Sequence, residues 1–180
     1  MGRPAFFIRL GGCDVGCSWC DVKDSWEASD HPSLSIAEIV EACVSSGAGY
    51  CVITGGEPMM YNLGSLTSAL KSAGIYLMLE TSGAHPLSGS WDWICLSPKK
   101  FKAAREEYYE VADELKVIVY NKHDLGWAEE HAAKVNSKCA LYMQPEWSKV
   151  ETSTAMILNF IRENTEWRIS VQSHKYIGVP

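Results

Sequence analysis

The chain has 180 residues and a mass of 20.0 kDa, room for one domain with a substantial core but not for two. Hydrophobic residues make up 47% and charged residues 21%, which excludes a disordered or low-complexity chain. Sixteen Lys+Arg against 22 Asp+Glu leave a formal net charge of -6, which argues against nucleic acid or an anionic membrane as partner and for a small ligand or another protein.

The first strand candidate is the apolar run 6–10, too short for a signal peptide and interrupted by Arg9. A Gly- and Cys-rich loop without periodicity follows, to about Pro32, and a loop of that length usually carries a function. Ser35 and Glu38 form a capping-box pattern. Ile36, Ile39, Val40 and Cys43 then recur at helical spacing until the helix stops near Gly47. Residues 50–54 read as a strand, Leu63, Leu66, Leu70 and Ala73 as a helix ended by Gly74, and 75–79 as a third strand. Further strands are expected at 93–96, 115–120, 139–143 and 167–172, with helices around 103–110, 124–135 and 152–164. Alternating strands and helices predict a parallel α/β sheet. Right-handed crossovers place every strand C-terminus, and hence the functional loops, on one side. A complete eight-stranded barrel takes about 250 residues, so a barrel here is abbreviated. No stretch is long and apolar enough to span a bilayer, and a soluble cytoplasmic protein is expected.

Seven cysteines is an odd number, and Cys13, Cys17 and Cys20 are spaced C-x3-C-x2-C. This suits a metal or redox site in a reducing compartment better than a disulfide framework. Three thiolates on one flexible loop can hold three corners of an iron-sulfur cluster and leave one iron open. Structural zinc would need a fourth ligand, for which His31 is the nearest candidate. Cys43, Cys51, Cys95 and Cys139 lie in apolar runs and are expected in the core. Gly55-Gly56-Glu57-Pro58 follows the second strand; its glycines permit close backbone approach, and its Glu can accept from an ammonium group.

The triad, with Trp19 before its last cysteine, and the Gly-Gly-Glu-Pro loop together resemble the radical S-adenosylmethionine superfamily. That resemblance implies an open, partial parallel β/α barrel, a 4Fe-4S cluster and S-adenosyl-L-methionine. The runs 7–13, 18–21, 55–58, 80–83, 96–99, 142–145 and 172–176 resemble, more narrowly, the 7-carboxy-7-deazaguanine synthase family. They imply a lyase that contracts 6-carboxy-5,6,7,8-tetrahydropterin to 7-carboxy-7-deazaguanine with loss of ammonia, in queuosine and deazapurine biosynthesis. On that resemblance Cys13, Cys17 and Cys20 ligate the cluster, and Trp19, Gly55, Gly56, Glu57, Ser97, Lys99 and Gln144 line the S-adenosylmethionine site. Arg9, Thr81, His174 and Pro180 are the substrate-binding candidates, and no protein side chain is assigned as catalytic, because the cofactor carries the radical.

The resemblance also implies a homodimer, a flavodoxin-type electron donor and Mg²⁺ near the substrate carboxylate. In the family a hydroxyl residue often stands two positions after the last cluster cysteine. Here that residue is Val22, which has no ligand atom. Substrate oxygens, Asp21 or backbone would have to hold the ion, or Lys23 would have to supply the charge, so a weaker magnesium requirement is expected. The chain reads as a single domain over 1–180, without the strand and Gln-Gly-Glu-Gly loop that the family places before this segment. Two other readings stay open: a glycyl-radical activating enzyme, and a non-catalytic metal-stabilised module.

Overall fold

The computed structural model describes residues 3–178. Its strands are β1 (Phe6–Leu10), β2 (Tyr50–Gly55), β3 (Tyr76–Thr81), β4 (Trp93–Leu96), β5 (Glu114–Val119), β6 (Ala140–Pro145) and β7 (Trp167–Ile169). They form one sheet in chain order, with every neighbouring pair parallel. A strand order that never reverses keeps all right-handed crossovers on the same side, so the sheet curls around the other. β1 and β7 remain its two edges. This is the open partial barrel expected from the sequence.

Helices α1 (Ile36–Ser45), α2 (Gly64–Ser72), α3 (Glu106–Val111), α4 (His123–Ala132) and α5 (Val150–Glu163) cover the outer face. The capping box of α1 forms: Ser35 Oγ accepts from the Glu38 amide, and the Glu38 carboxylate accepts from the Ser35 amide at 2.7 Å. Residues 103–105, expected to be helical, stay in a loop because the Arg105 amide donates to the Gly83 carbonyl at 2.9 Å. The last strand is shorter than expected. After Ile169 the backbone continues toward β6 only through the Ser170 amide, which bonds the Met143 carbonyl, and the chain then turns into a short helix α6 (Ser173–Ile177).

Parallel register aligns side chains across the sheet, because successive residues of a strand point to opposite faces. Ile8, Ile53, Leu79, Ile94, Leu96, Leu115, Val117 and Met143 fall on the outer face and pack with Cys43, Leu70, Tyr108, Ala128 and Ile157 from the helices. The inner face carries Arg9, Glu80, Cys95, Glu114, Lys116, Tyr142, Gln144 and Arg168. Parallel strands covered by helices on both faces read as continuous apolar runs. The polar alternation of β3 and β5 therefore marks an inner face that receives something other than a helix.

Candidate active site

The cysteine loop leaves β1 and is clamped at its base. The Gly12 and Cys13 amides donate to the Ser25 and Trp26 carbonyls at 2.8 and 3.1 Å, and the Cys20 amide closes a turn onto the Cys17 carbonyl at 3.1 Å. Cys17 is buried, Cys13 and Cys20 are half-buried, and all three are free thiols. Burial pushes the Cys17 thiol up to about 11; the Lys99 ammonium opposes this, and Cys20 and Cys13 add to it. Three thiolates crowded on one loop repel one another, and a cationic iron-sulfur centre would relieve that repulsion, so the donor set fits the group. Among the described residues no group of three His, Cys, Asp or Glu side chains is arranged to hold a single metal ion. His31 Nε2 bonds the Asp24 carbonyl at 2.9 Å.

The Gly-Gly-Glu-Pro loop is wedged against this base. The Gly56 amide donates to the Leu10 carbonyl at 2.8 Å and the Glu57 amide to the Gly12 carbonyl at 2.9 Å. Gly55 has φ +127°, and a Cβ on it would strike the Leu10 backbone; a Cβ on Gly56 would strike the Gly12 carbonyl. The glycines are thus required by the approach of β2 to the cysteine loop as well as by any ligand.

The structure corrects the role read for the Glu57 side chain. Glu57 is 2% exposed, and four donors meet its carboxylate. The Met59 amide at 3.0 Å and the Thr81 hydroxyl at 2.5 Å reach Oε1, while the Ser82 amide at 2.8 Å and the Ser82 hydroxyl reach Oε2. A carboxylate has about four lone-pair sites, so none is left for an ammonium group. Thr81 is corrected in the same way. It is buried, and its hydroxyl donates to Glu57 while accepting from the Gly83 amide at 3.0 Å. Together these residues lock the ends of β2 and β3.

Behind this lock, Ser97 and Lys99 follow β4. The Ser97 amide donates to the Thr81 carbonyl at 2.8 Å, and Lys99 Nζ donates to the Ser97 hydroxyl at 2.7 Å. Burial pushes the Lys99 ammonium down, with Cys17 opposing, and its Nζ stands 6.0 Å from the centre of the Trp19 ring. Gln144 lies on the inner face of β6 and accepts from the Ser170 hydroxyl at 3.3 Å. Cysteines, glycines, Trp19, Ser97 and Lys99 therefore gather around one centre, with Gln144 farther along the same face. Arg9 sits on edge strand β1, exposed, 5.8 Å from the Phe7 ring centre. His174 is half-buried on α6, and Pro180 lies outside the described residues.

Sequence reasoning missed the inner-face cluster below this centre. Lys116 Nζ donates to Glu80 Oε2 at 2.5 Å; Trp93 Nε1 and Cys95 Sγ reach Glu114 at 3.3 and 3.5 Å. Burial alone would lower the Lys116 ammonium, but Cys95 and Glu80 carry it above its usual value. Burial also raises the Glu114 carboxyl, against the pull of Lys116. Cys95 is buried as expected, yet among these charged groups and not in the apolar core. The signal was present in Glu114-Leu115-Lys116-Val117, where charges alternate with apolar residues. A second cluster ties the cysteine loop to its neighbours: Asp14 bonds His85 Nε2 at 2.9 Å and Lys102 Nζ at 2.6 Å.

Comparison with known proteins gives the family. Residues 7–120 match the radical SAM superfamily. A 7-carboxy-7-deazaguanine synthase from Flavobacterium psychrophilum is 52% identical over 179 residues, 99% of this chain and 85% of that protein. The same enzyme from Synechocystis sp. is 47% identical over 178 residues, again 99% of this chain and 85% of that protein. The crystal structure of QueE from Escherichia coli superposes with a TM-score of 0.82 at 30% identity, covering 95% of this chain and 86% of that one. The chain belongs to the 7-carboxy-7-deazaguanine synthase family of the radical SAM superfamily.

Proposed function

We propose that the chain contracts 6-carboxy-5,6,7,8-tetrahydropterin to 7-carboxy-7-deazaguanine with loss of ammonia, as a radical S-adenosylmethionine lyase of deazapurine biosynthesis. The observation that carries this reading is the convergence of the cysteine loop, the Gly55-Gly56 wedge and the Ser97–Lys99 turn at the C-terminal edge of one parallel sheet, in a chain 52% identical to a named synthase. It also sets aside an activating enzyme for a glycyl radical and a non-catalytic module.

Cys13, Cys17 and Cys20 hold the 4Fe-4S cluster, and Trp19, Gly55, Gly56, Ser97, Lys99 and Gln144 surround S-adenosylmethionine. When bound, the pair supplies a 5′-deoxyadenosyl radical, and the protein's share is placement and exclusion of water. Lys99, charged and half-buried, is placed for a carboxylate. Glu57 contributes by fixing its loop, and the ammonium acceptor becomes Glu80, whose Oε2 is held by Lys116 on the inner face. Arg9 offers a planar fork to the substrate carboxylate, with His174 and Pro180 kept as substrate contacts.

At the position where the family would hold Mg²⁺ the side chain offers no ligand, which leaves Asp21 Oδ1, backbone or substrate oxygens for the ion. Val22 has no ligand atom, and Asp21 Oδ2 is already taken by Lys175 Nζ at 2.5 Å and Gln172 Nε2 at 2.7 Å. Lys23 does not replace the ion there, since its ammonium lies over Trp26, 5.9 Å from the ring centre. The reading keeps a homodimer, supported by Leu34, Ile36 and Val44 exposed around α1, and a flavodoxin-type donor. Free cysteines throughout and the lack of a membrane-crossing helix among the described residues suit a cytoplasmic enzyme.

Anaerobic reconstitution followed by reduction, S-adenosylmethionine and the carboxylated pterin should give the deazaguanine product with about four iron and four sulfide per chain. One tightly held zinc and no S-adenosylmethionine cleavage would sink the reading. Turnover in magnesium-free buffer should stay within about threefold of that with Mg²⁺, against the tenfold losses usual when a true ligand set is broken.

A further inference from the structure

The charged cluster on the inner face holds one cation between two carboxylates. Register sets Glu80 of β3, Cys95 of β4 and Glu114 of β5 level in one row. Lys116 lies two residues beyond Glu114 on the same face of β5, yet its ion pair is with Glu80, two strands away. Glu114 loses that contest because both its oxygens are engaged: Trp93 Nε1 donates to Oε2 at 3.3 Å and Cys95 Sγ to Oε1 at 3.5 Å. Burial pushes the Cys95 thiol well up, so it keeps the proton it donates. Lys116 takes Oε2 of Glu80, which leaves Oε1 for another donor. From the turn after β4 the Lys99 ammonium repels that of Lys116, and β2 brings no charged side chain.

We infer that Lys116 is a positioning residue for the cofactor: it fixes Glu80 by one oxygen so that the other serves the cofactor's amino group, while Trp93 and Cys95 keep Glu114 from drawing it away. The inference rests on the reading of Glu80 as that acceptor. Its physical reason is charge. Two carboxylates that share a half-buried space with a single ammonium stay ionised together only while the ammonium is there. Without it the pair holds a proton between them, and the acceptor is taken by that proton instead of the ligand. If Glu114 were free to bind Lys116, Glu80 would lose its anchor in the same way. Because β4 runs between β3 and β5, its inward residues Trp93 and Cys95 stand where they can separate the two acids.

Binding of S-adenosylmethionine to the cluster-loaded, unreduced enzyme, measured anaerobically by titration calorimetry at pH 6 and pH 7.5, tests this. The wild-type dissociation constants at the two pH values should agree within about threefold. Lys116→Met should raise the constant at least about tenfold at pH 7.5 and about fivefold more at pH 6, because the uncompensated pair takes up a proton as pH falls. Lys116→Arg keeps the cation and should return both values to within about threefold of wild type. A lysine needed only for folding would give the same loss at both pH values. Trp93→Phe keeps the ring and removes the donor; its constant should rise about 3–10-fold, and adding Glu114→Gln should restore it. That cycle decides the question even where Lys116→Met fails to fold. A Lys116→Met constant unchanged, or equally weakened at both pH values, overturns the inference. So does a Trp93→Phe variant without a defect, or with one that Glu114→Gln leaves in place. Wild-type affinity in Glu80→Gln would remove the acceptor and overturn the reading and the inference together. Weakened binding in Glu80→Gln beside wild-type binding in Lys116→Met would overturn the role of Lys116 alone.

Discussion

Leu79 and Glu80 are neighbours on β3 and face opposite worlds. Leu79 is fully buried in the outer core, and Glu80 is held by Lys116 on the inner face. The same division runs through β5, where Leu115 and Val117 face helices while Glu114 and Lys116 face inward. The outer face spends its side chains on burial, which is non-directional and tolerant of shape. The inner face spends them on directed charges, which lose energy to desolvation and repay it only when a ligand or partner completes them. One face therefore answers mainly in stability when cut, and the other mainly in chemistry.

The largest expected effect comes from the loop above the inner face. Cys17→Ala should abolish turnover, a loss of at least about a thousandfold, with the iron content falling and the urea midpoint of cluster-free protein changing little. Glu57→Ala comes next and cuts the joint between the faces. Four donors lose their acceptor in a buried place, and a loss of about 3–5 kcal/mol is expected in denaturant titration. A loss below about 1 kcal/mol would show that the β2–β3 lock is not structural.

The direct contrast is the pair on β3. Leu79→Ala should cost about 2–5 kcal/mol and leave the S-adenosylmethionine affinity of the surviving folded protein near normal. Glu80→Gln should do the reverse. Stability should fall by about 1–2 kcal/mol, less than for Leu79→Ala because the Gln carbonyl can still accept from Lys116, and the dissociation constant for S-adenosylmethionine should rise about 10–30-fold, equivalent to about 1.4–2 kcal/mol. Equal effects on stability would erase the distinction between the faces.

Much of this was legible in the sequence. All seven strands, the capping box of α1 and the cysteine loop follow from periodicity, capping residues and ligand spacing, which are local. The role of Glu57 was not legible, because its partners Thr81 and Ser82 are brought to it by the β2–β3 register. Nor was the Glu80–Lys116 pair, which joins positions 36 residues apart on strands that do not touch. The end of β7 was misread because the run 167–172 is strand-like in composition, while the turn into α6 depends on where β6 stops offering partners. Spacing reveals what one segment does. Which carboxylate is spent on structure and which is left for chemistry is decided by register.

The smallest expected effect belongs to the outer layer and is conditional on pH. His131 on α4 packs edge-on against Trp127 at 4.2 Å, and its Nδ1 is 2.7 Å from the Tyr109 hydroxyl, suited to accept from it. Burial, with Lys134 adding to it, pushes the imidazole down to about 4. Between an unfolded value near 6.5 and that folded value, the unfolded chain takes up a proton that the folded chain refuses. Stability is therefore complete above about pH 6.5 and falls as pH drops toward 4. Because the ring is half-buried, the loss is discounted to roughly 1–2 kcal/mol. His131→Phe should cost about 1 kcal/mol at pH 7, since the Tyr109 hydroxyl loses its acceptor, but it should unfold with a flatter pH dependence than wild type between 6.5 and 4. Paired denaturant titrations at pH 7 and 5 measure the difference. A variant that kept the wild-type slope would place the acid sensitivity among carboxylates that ion pairs hold below their usual range, such as Asp92 with Lys71 and Asp124 with Lys100.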